Sequence, residues 1–236
     1  MKHILHIIIC LVIAVIATAA RVPSKRSSQS AAVDLAEIKA SVTDPASPYY
    51  FPRLMKRFQE NETIMTTDDY RYLYLGTMFQ EDYNPYRRSI YAERVNPLTF
   101  KEKHSRAELD SMISYTTLAL DDTPFDINQM NFLIYALREK GKVNIANIWQ
   151  YRLNRLLEAI VSTGTGADTA GAWYVIYPRD EATIINLSSK KVQSLKPSFV
   201  EPYYDCIEVT DGQGRQQQYY FNIKPVIEEF NRKNPE

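Results

Sequence analysis

Apolar positions recur at helical spacing through most of the first two thirds of the chain and shift to alternation after that. Thr66 or Thr67 caps a predicted helix that opens on Asp68-Asp69 and runs to about Phe79. Acidic residues suit that first turn, where unpaired N–H groups carry partial positive charge. A second helix is predicted from about Arg106, with Leu109, Met112, Ile113, Thr116 and Leu120 on one face, and residues 121–126, including Pro124, end it. Ile127, Met130, Ile134 and Leu137 fall at spacings of 3, 4 and 3 and predict a third, closed by Gly141. Ala146, Trp149, Leu153, Leu156, Leu157 and Ile160 mark a longer fourth.

The last two helices, joined at Gly141-Lys142, form a predicted antiparallel hairpin whose register resembles one tetratricopeptide-type unit, with small Ala146 permitting close approach. A solenoid needs about three such units, so no repeat array is expected. Residues 162–171 hold three of the seven glycines and separate the two patterns. Beyond them Trp173-Tyr174-Val175-Ile176-Tyr177, residues 183–187, 206–210 and 217–223 are predicted strands, with Asp211-Gly212-Gln213-Gly214 as a hairpin turn. Pro225 opens a final short helix over residues 226–231. The predicted fold is α+β: an N-terminal helical region (32–163) and an α+β region (164–236) packed on it, with a small antiparallel sheet and a C-terminal helix, making one composite domain.

The chain's first residues carry a different signal. Lys2 and His3 precede an apolar run over residues 4–16, and Ala17-Thr18-Ala19 follows with small residues at its first and third places. A membrane span needs about 20 apolar residues, and basic Arg21 arrives too soon for one. Residues 1–19 therefore read as a signal peptide cleaved after Ala19, and residues 20–31, rich in serine and basic side chains, as a disordered leader. The cleaved chain is expected to be exported, with no membrane span after cleavage.

Composition then removes chemistries. With 28 basic and 28 acidic residues the chain has no electrostatic reason to bind nucleic acid. Cleavage after Ala19 would leave His104 and Cys206 as the last histidine and cysteine, so neither a disulfide within the chain nor a zinc site is expected. Asp68-Asp69 and Asp121-Asp122 lack the stagger of a calcium loop and read as helix boundaries. Cys206 sits in an apolar strand, where thiols are inert packing, and His104 in a charged stretch, where it reads as solvated. Gly164-Thr165-Gly166 follows a helix and precedes a strand, the reverse of a nucleotide loop, and no cofactor is expected. Asp180, Glu181, Glu201, Asp205 and Glu208 remain as carboxylates that a glycosidase could pair.

The residues also resemble a family. Ile127-Asn128, Ser162-Thr163-Gly164-Thr165-Gly166, Ala172-Trp173-Tyr174-Val175-Ile176, Ile184-Ile185-Asn186-Leu187, Tyr203-Tyr204-Asp205 and Tyr220-Phe221-Asn222-Ile223 are similar to exported proteins of gut-dwelling Gram-negative bacteria grouped as domain of unknown function 4919. Asp68-Asp69-Tyr70-Arg71-Tyr72-Leu73-Tyr74 and Tyr83-Asn84-Pro85-Tyr86 extend the likeness toward the N-terminus. The resemblance implies an exported α+β protein, and the expected location is then the periplasm or extracellular side of a Gram-negative bacterium. It transfers no catalytic residue, and Arg179 stands where the family tends to carry histidine.

Seventeen tyrosines complete the picture. Tyrosine combines contact area with a polar tip, and Tyr70, Tyr74, Tyr83 and Tyr86 are expected to present a surface to an envelope protein or glycan. The expected function is that of a non-catalytic binding or interaction protein without metal or cofactor. The alternative is a carboxylate-dependent hydrolase of envelope glycans.

Overall fold

The helical region forms where caps and spacing place it. The computed structural model describes residues 33–99, 101–188 and 192–235, so the readings of residues 1–19 and 20–31 lie outside the described residues. Short helices α1 (Leu35–Thr43) and α2 (Phe51–Gln59) lead into α3 (Thr67–Gly76), which continues as a 3-10 turn to Phe79. Thr66 caps α3 in a reciprocal box: its side chain accepts from the Asp69 N–H while the Asp69 carboxylate accepts from the Thr66 N–H. Ser105 and Glu108 repeat the device at the start of α5 (Arg106–Asp122), after α4 (Ile90–Thr99).

α6 (Ile127–Glu139) and α7 (Val143–Val161) make the antiparallel hairpin. Gly141, at φ +72°, reverses the chain between them. Its N–H donates to the Arg138 carbonyl at 2.9 Å and the Lys142 N–H to that of Leu137 at 2.8 Å, so two orphaned carbonyls of the last turn are satisfied. Met130, Ile134, Leu137, Ala146, Leu153 and Leu156 are buried along the shared seam.

In the last third the structure changes two expectations. The sheet has four strands, β1 (Trp173–Tyr174), β2 (Val192–Val200), β3 (Tyr204–Asp211) and β4 (Gln216–Asn222), in the order β1-β4-β3-β2. The last three pair antiparallel, but β1 lies parallel to β4, Trp173 opposite Phe221, so the sheet is mixed rather than antiparallel throughout. Residues 183–187, expected as a strand, are helical within α8 (Glu181–Ser188). Glu181, Ile184 and Ile185 are its buried positions, a spacing of three and four that only a helix turns to one face. β2 escaped the alternation test because most of its residues are exposed and Pro197 interrupts it, as a sheet edge allows.

The hairpin turn forms as expected. Asp211 Oδ1 accepts from the Gln213 and Arg215 N–H groups, and Gly214 sits at φ +76°. α9 (Lys224–Lys233) closes the fold and begins two residues before the expected start. Its Lys233 ammonium donates to the carbonyls of Met78, Gln80 and Tyr83, tying the chain's end to the loop after α3. One apolar core runs through both regions, from Ile38, Leu54 and Leu73 to Trp173, Ile184, Val209, Phe221 and Val226. A second, smaller core of Val95, Leu109, Met112 and Ala136 sits among α4, α5 and α6. Among the described residues no helix is long and apolar enough to cross a membrane.

Candidate binding cleft at the start of α6

The four tyrosines expected to form a surface separate. Tyr70, Tyr74 and Tyr83 are 2%, 1% and 6% exposed and belong to the core, so they are removed from the proposed surface. Tyr86 alone is open, at 58%, with its ring edge-on to Phe230. The reason is positional. Tyr70 and Tyr74 fall on the face of α3 that meets the rest of the core, and the hydroxyls of Tyr74 and Tyr83 have internal work. The Ile176 N–H donates to Tyr74 Oη at 3.2 Å, and Tyr83 Oη donates to the Ile176 carbonyl at 2.5 Å. Two tyrosines thus satisfy both backbone groups of one buried residue that follows β1 and has no ladder partner there. Burial drives both phenols to pKa values well above the ordinary 10.

The polar residues after β1 converge on α6. Pro178 begins a 3-10 turn over Pro178–Asp180, and this turn with α8 packs against the α6 N-terminus. Asp126 is the N-cap of α6 and accepts from the Gln129 N–H at 3.0 Å. Its other oxygen takes a bond from Arg179 at 3.3 Å. The Arg179 guanidinium also donates to the carbonyls of Pro85 (3.2 Å) and Arg87 (3.0 Å) and lies over the Tyr177 ring at 4.1 Å. Asp180 is fully buried and accepts from Asn128 Nδ2 at 3.0 Å and, more weakly, from the Ile127 N–H at 3.4 Å. Asn128 in turn accepts from the Thr183 hydroxyl at 2.5 Å. Desolvation, with the Asp126 charge beside it, lifts the Asp180 carboxyl well above the usual carboxylate range.

This cluster walls a cleft of about 350 Å³ between α4 and α6, lined by Arg88, Glu93, Asn96, Asp126, Gln129 and Phe132 among others. Gln129 is 3% exposed, and its Oε1 is buried without a hydrogen-bond partner. A buried polar atom without a partner costs roughly 1–3 kcal/mol, and among the described residues Gln129 Oε1 and Arg179 Nε are two such atoms on side chains that line this cleft. None of these residues was singled out from sequence as a site. One signal was present: Gln129, Phe132 and Ala136 form a second stripe on α6 facing the smaller core, and a glutamine heads it.

Of the carboxylates considered for catalysis, Asp180, Glu181, Asp205 and Glu208 have partners within the fold, and Glu201 is exposed in the turn between β2 and β3, away from the cleft lining. Glu181 and Asp205 lie in hydrogen-bonding contact across α8 and β3. Burial first, then the Asp205 charge, pushes Glu181 up to about 9, so Glu181 keeps its proton and donates it to Asp205. Neither lines the cleft. Glu208 pairs with Lys196 across β3 and β2 at 3.5 Å. His104 is not simply solvated: Nε2 lies 2.7 Å from the Leu98 carbonyl, to which it donates, and Nδ1 lies 2.9 Å from Tyr135 Oη. Cys206 is buried in β3. Among the described residues no group of three or more His, Cys, Asp and Glu side chains is arranged to hold a metal.

A family model described as Domain of unknown function (DUF4919) matches residues 36–232. No curated protein and no solved structure matches the chain.

Proposed function

The chain belongs to the DUF4919 family, and we propose that it is an exported, non-catalytic binding protein of the bacterial cell envelope whose site is the cleft between α4 and α6. The observation that carries the reading is the buried, unpartnered Gln129 Oε1 beside that cleft. A donor on a bound molecule would complete it. Support for the non-catalytic half comes from the reactive groups themselves. His104 has both ring nitrogens bonded internally, Cys206 is buried, and Asp180 and Glu181 lie under the fold. Support for export is the pattern of residues 1–19.

The hydrolase alternative rests on Glu93 and Asp126 lining one cleft. It is the weaker reading, because both Asp126 oxygens already accept bonds, from the Gln129 N–H and from Arg179. The test expresses the full chain in a Gram-negative host, identifies the mature N-terminus by mass spectrometry, and screens the product against neutral saccharides and peptides by thermal shift. A mature N-terminus at Ala20 and a ligand whose stabilisation is lost in Gln129→Leu are expected. Retention of Met1 in the cytoplasm would remove the export claim, and conversion of a ligand to product would remove the non-catalytic one.

A further inference from the structure

A second cleft, of about 510 Å³, opens further along α6, and Thr99 and Phe132 line both. The half-buried Phe132 ring therefore stands between two adjoining hollows rather than closing one. The combined groove follows the exposed side of α6 from Asn128 to Glu139, about 16 Å at 1.5 Å per residue. That is an elongated site, longer than a single small ligand fills.

Its charge is balanced. Arg88, Arg179, Lys101 and Arg138 face Glu93, Asp126, Glu102 and Glu139, four of each sign, so neither a polyanion nor a polycation is selected. Five amide side chains also line it; Asn128 and Gln150 are bonded to Asp180, Thr183, Arg138 and Asn154, which leaves Asn96, Gln129 and Asn131 to meet a ligand. An amide both donates and accepts, which matches hydroxyl groups that do the same. Two aromatic rings, Phe132 and the partly exposed Tyr135, sit one helical turn apart on the same face. Aromatic faces pack against the C–H faces of sugar rings while amides take up the hydroxyls around the rim. A peptide helix needs several open apolar anchors, and Met112 and Ile134, the other large apolar residues lining the groove, are buried beneath it; an extended peptide needs an open strand edge.

We infer that the groove along α6, from the Gln129 end past Phe132 to Tyr135, binds a neutral linear oligosaccharide. The inference rests on the binding-protein reading above and adds the ligand's class and length. It assigns Gln129 as the acceptor for a buried sugar hydroxyl and the two rings as platforms for successive units.

Isothermal titration of the full chain with cello-, chito-, xylo- and manno-oligosaccharides, each from disaccharide to hexasaccharide, tests it. In one series the dissociation constant falls by about tenfold or more as the oligomer lengthens, and Tyr135→Ala or Phe132→Ala removes that gain. Tyr135 is exposed enough that its replacement keeps the fold, which circular dichroism checks. Binding that is equal for disaccharide and hexasaccharide, or indifferent to Tyr135, overturns the groove assignment and leaves the binding reading standing. A peptide that binds in a Gln129-dependent way while every saccharide fails does the same. Oligosaccharides that bind and are shortened during the titration overturn the non-catalytic reading and keep the groove. No binding of either class overturns both.

Discussion

In the helical region, polar side chains sit at helix ends, where they close turns: Thr66, Ser105 and Asp126 each accept a first-turn N–H, and Gly141 reverses the chain beyond α6. In the region after β1, polar groups lie under the fold, where they join it to its neighbours. Asp180 meets α6, Glu181 meets β3, and the backbone of Ile176 meets two tyrosines from the helical side. The caps of the first region are closed by contacts close in sequence and can be replaced one at a time at modest cost, while buried Arg152 of α7 is its long-range tie, donating to the Phe58 and Gln59 carbonyls more than 90 residues away. The second depends on partners 24 to 102 residues away, and the loss of one partner strands another in a dry interior.

The largest test of that difference is Asp180→Ala. Removing the carboxyl takes the acceptor from the buried Ile127 N–H and the half-buried Asn128 amide, and the expected loss is about 2–4 kcal/mol by urea unfolding. Thr66→Ala, which deletes a cap in the helical region, serves as the reference at about 1 kcal/mol. Equal costs would erase the distinction between the regions. Asp180→Asn keeps an acceptor oxygen and falls between the two.

Next in size is a dependence on pH. The folded-state pKa of Glu181 is raised from 4.5 to about 9, with burial the leading cause. The folded protein therefore holds a proton that the unfolded chain releases, so the stabilisation is complete below about 4.5 and is lost as pH rises through about 9. Asp180 and Asp205 are also raised and act in the same direction. Stability should fall by on the order of 3 kcal/mol between pH 5 and pH 9. Glu181→Gln keeps a neutral donor toward Asp205 and should flatten the curve. A variant with the wild-type slope would place the titration elsewhere.

A smaller pair of substitutions separates donor from acceptor at Ile176. Tyr74→Phe strands the Ile176 N–H and should cost about 1–3 kcal/mol, whereas Tyr83→Phe leaves a carbonyl, which tolerates under-satisfaction better, at about 1 kcal/mol. Thermal unfolding of both resolves the order. The reverse order would mean that ring packing against Phe125 or Tyr177 outweighs the hydroxyls.

The same contrast governs what the sequence revealed. Caps and a period of 3.6 are local, so α3, α5, α6 and α7 were legible from Thr66, Pro124 and Gly141 with their apolar stripes. Residues 183–187 were not, because a run as short as Ile184-Ile185-Asn186-Leu187 fits strand or helix, and packing of Glu181, Ile184 and Ile185 decides it. The tyrosines misled for a related reason. Composition counts rings but says nothing of hydroxyl partners, and Tyr74 and Tyr83 find theirs on a residue about a hundred positions away. The cleft was the least legible part. Arg88, Glu93, Gln129 and Arg179 come from segments whose approach is set by Arg179 bridging Asp126 and the loop at residues 85–87.

Two glycines bring the comparison to its finest scale. Gly166, in the segment that enters β1, sits at φ +69°, and a Cβ there would lie 2.8 Å from the Trp173 indole. That indole stacks on Tyr219 and meets Phe221, so it has little room to withdraw. Gly141 has nearly the same φ, +72°, but an added Cβ meets nothing within 4 Å. Gly141→Ala should therefore cost only the left-handed backbone penalty, about 1 kcal/mol, and Gly141→Asn less, since asparagine tolerates that conformation. Gly166→Ala adds the clash to the same penalty and should cost about two to three times as much. Urea midpoints of the three variants make the check. If Gly141→Ala proved as damaging as Gly166→Ala, the α6–α7 turn would have to be held by something beyond its own two backbone hydrogen bonds, and its local character would be lost.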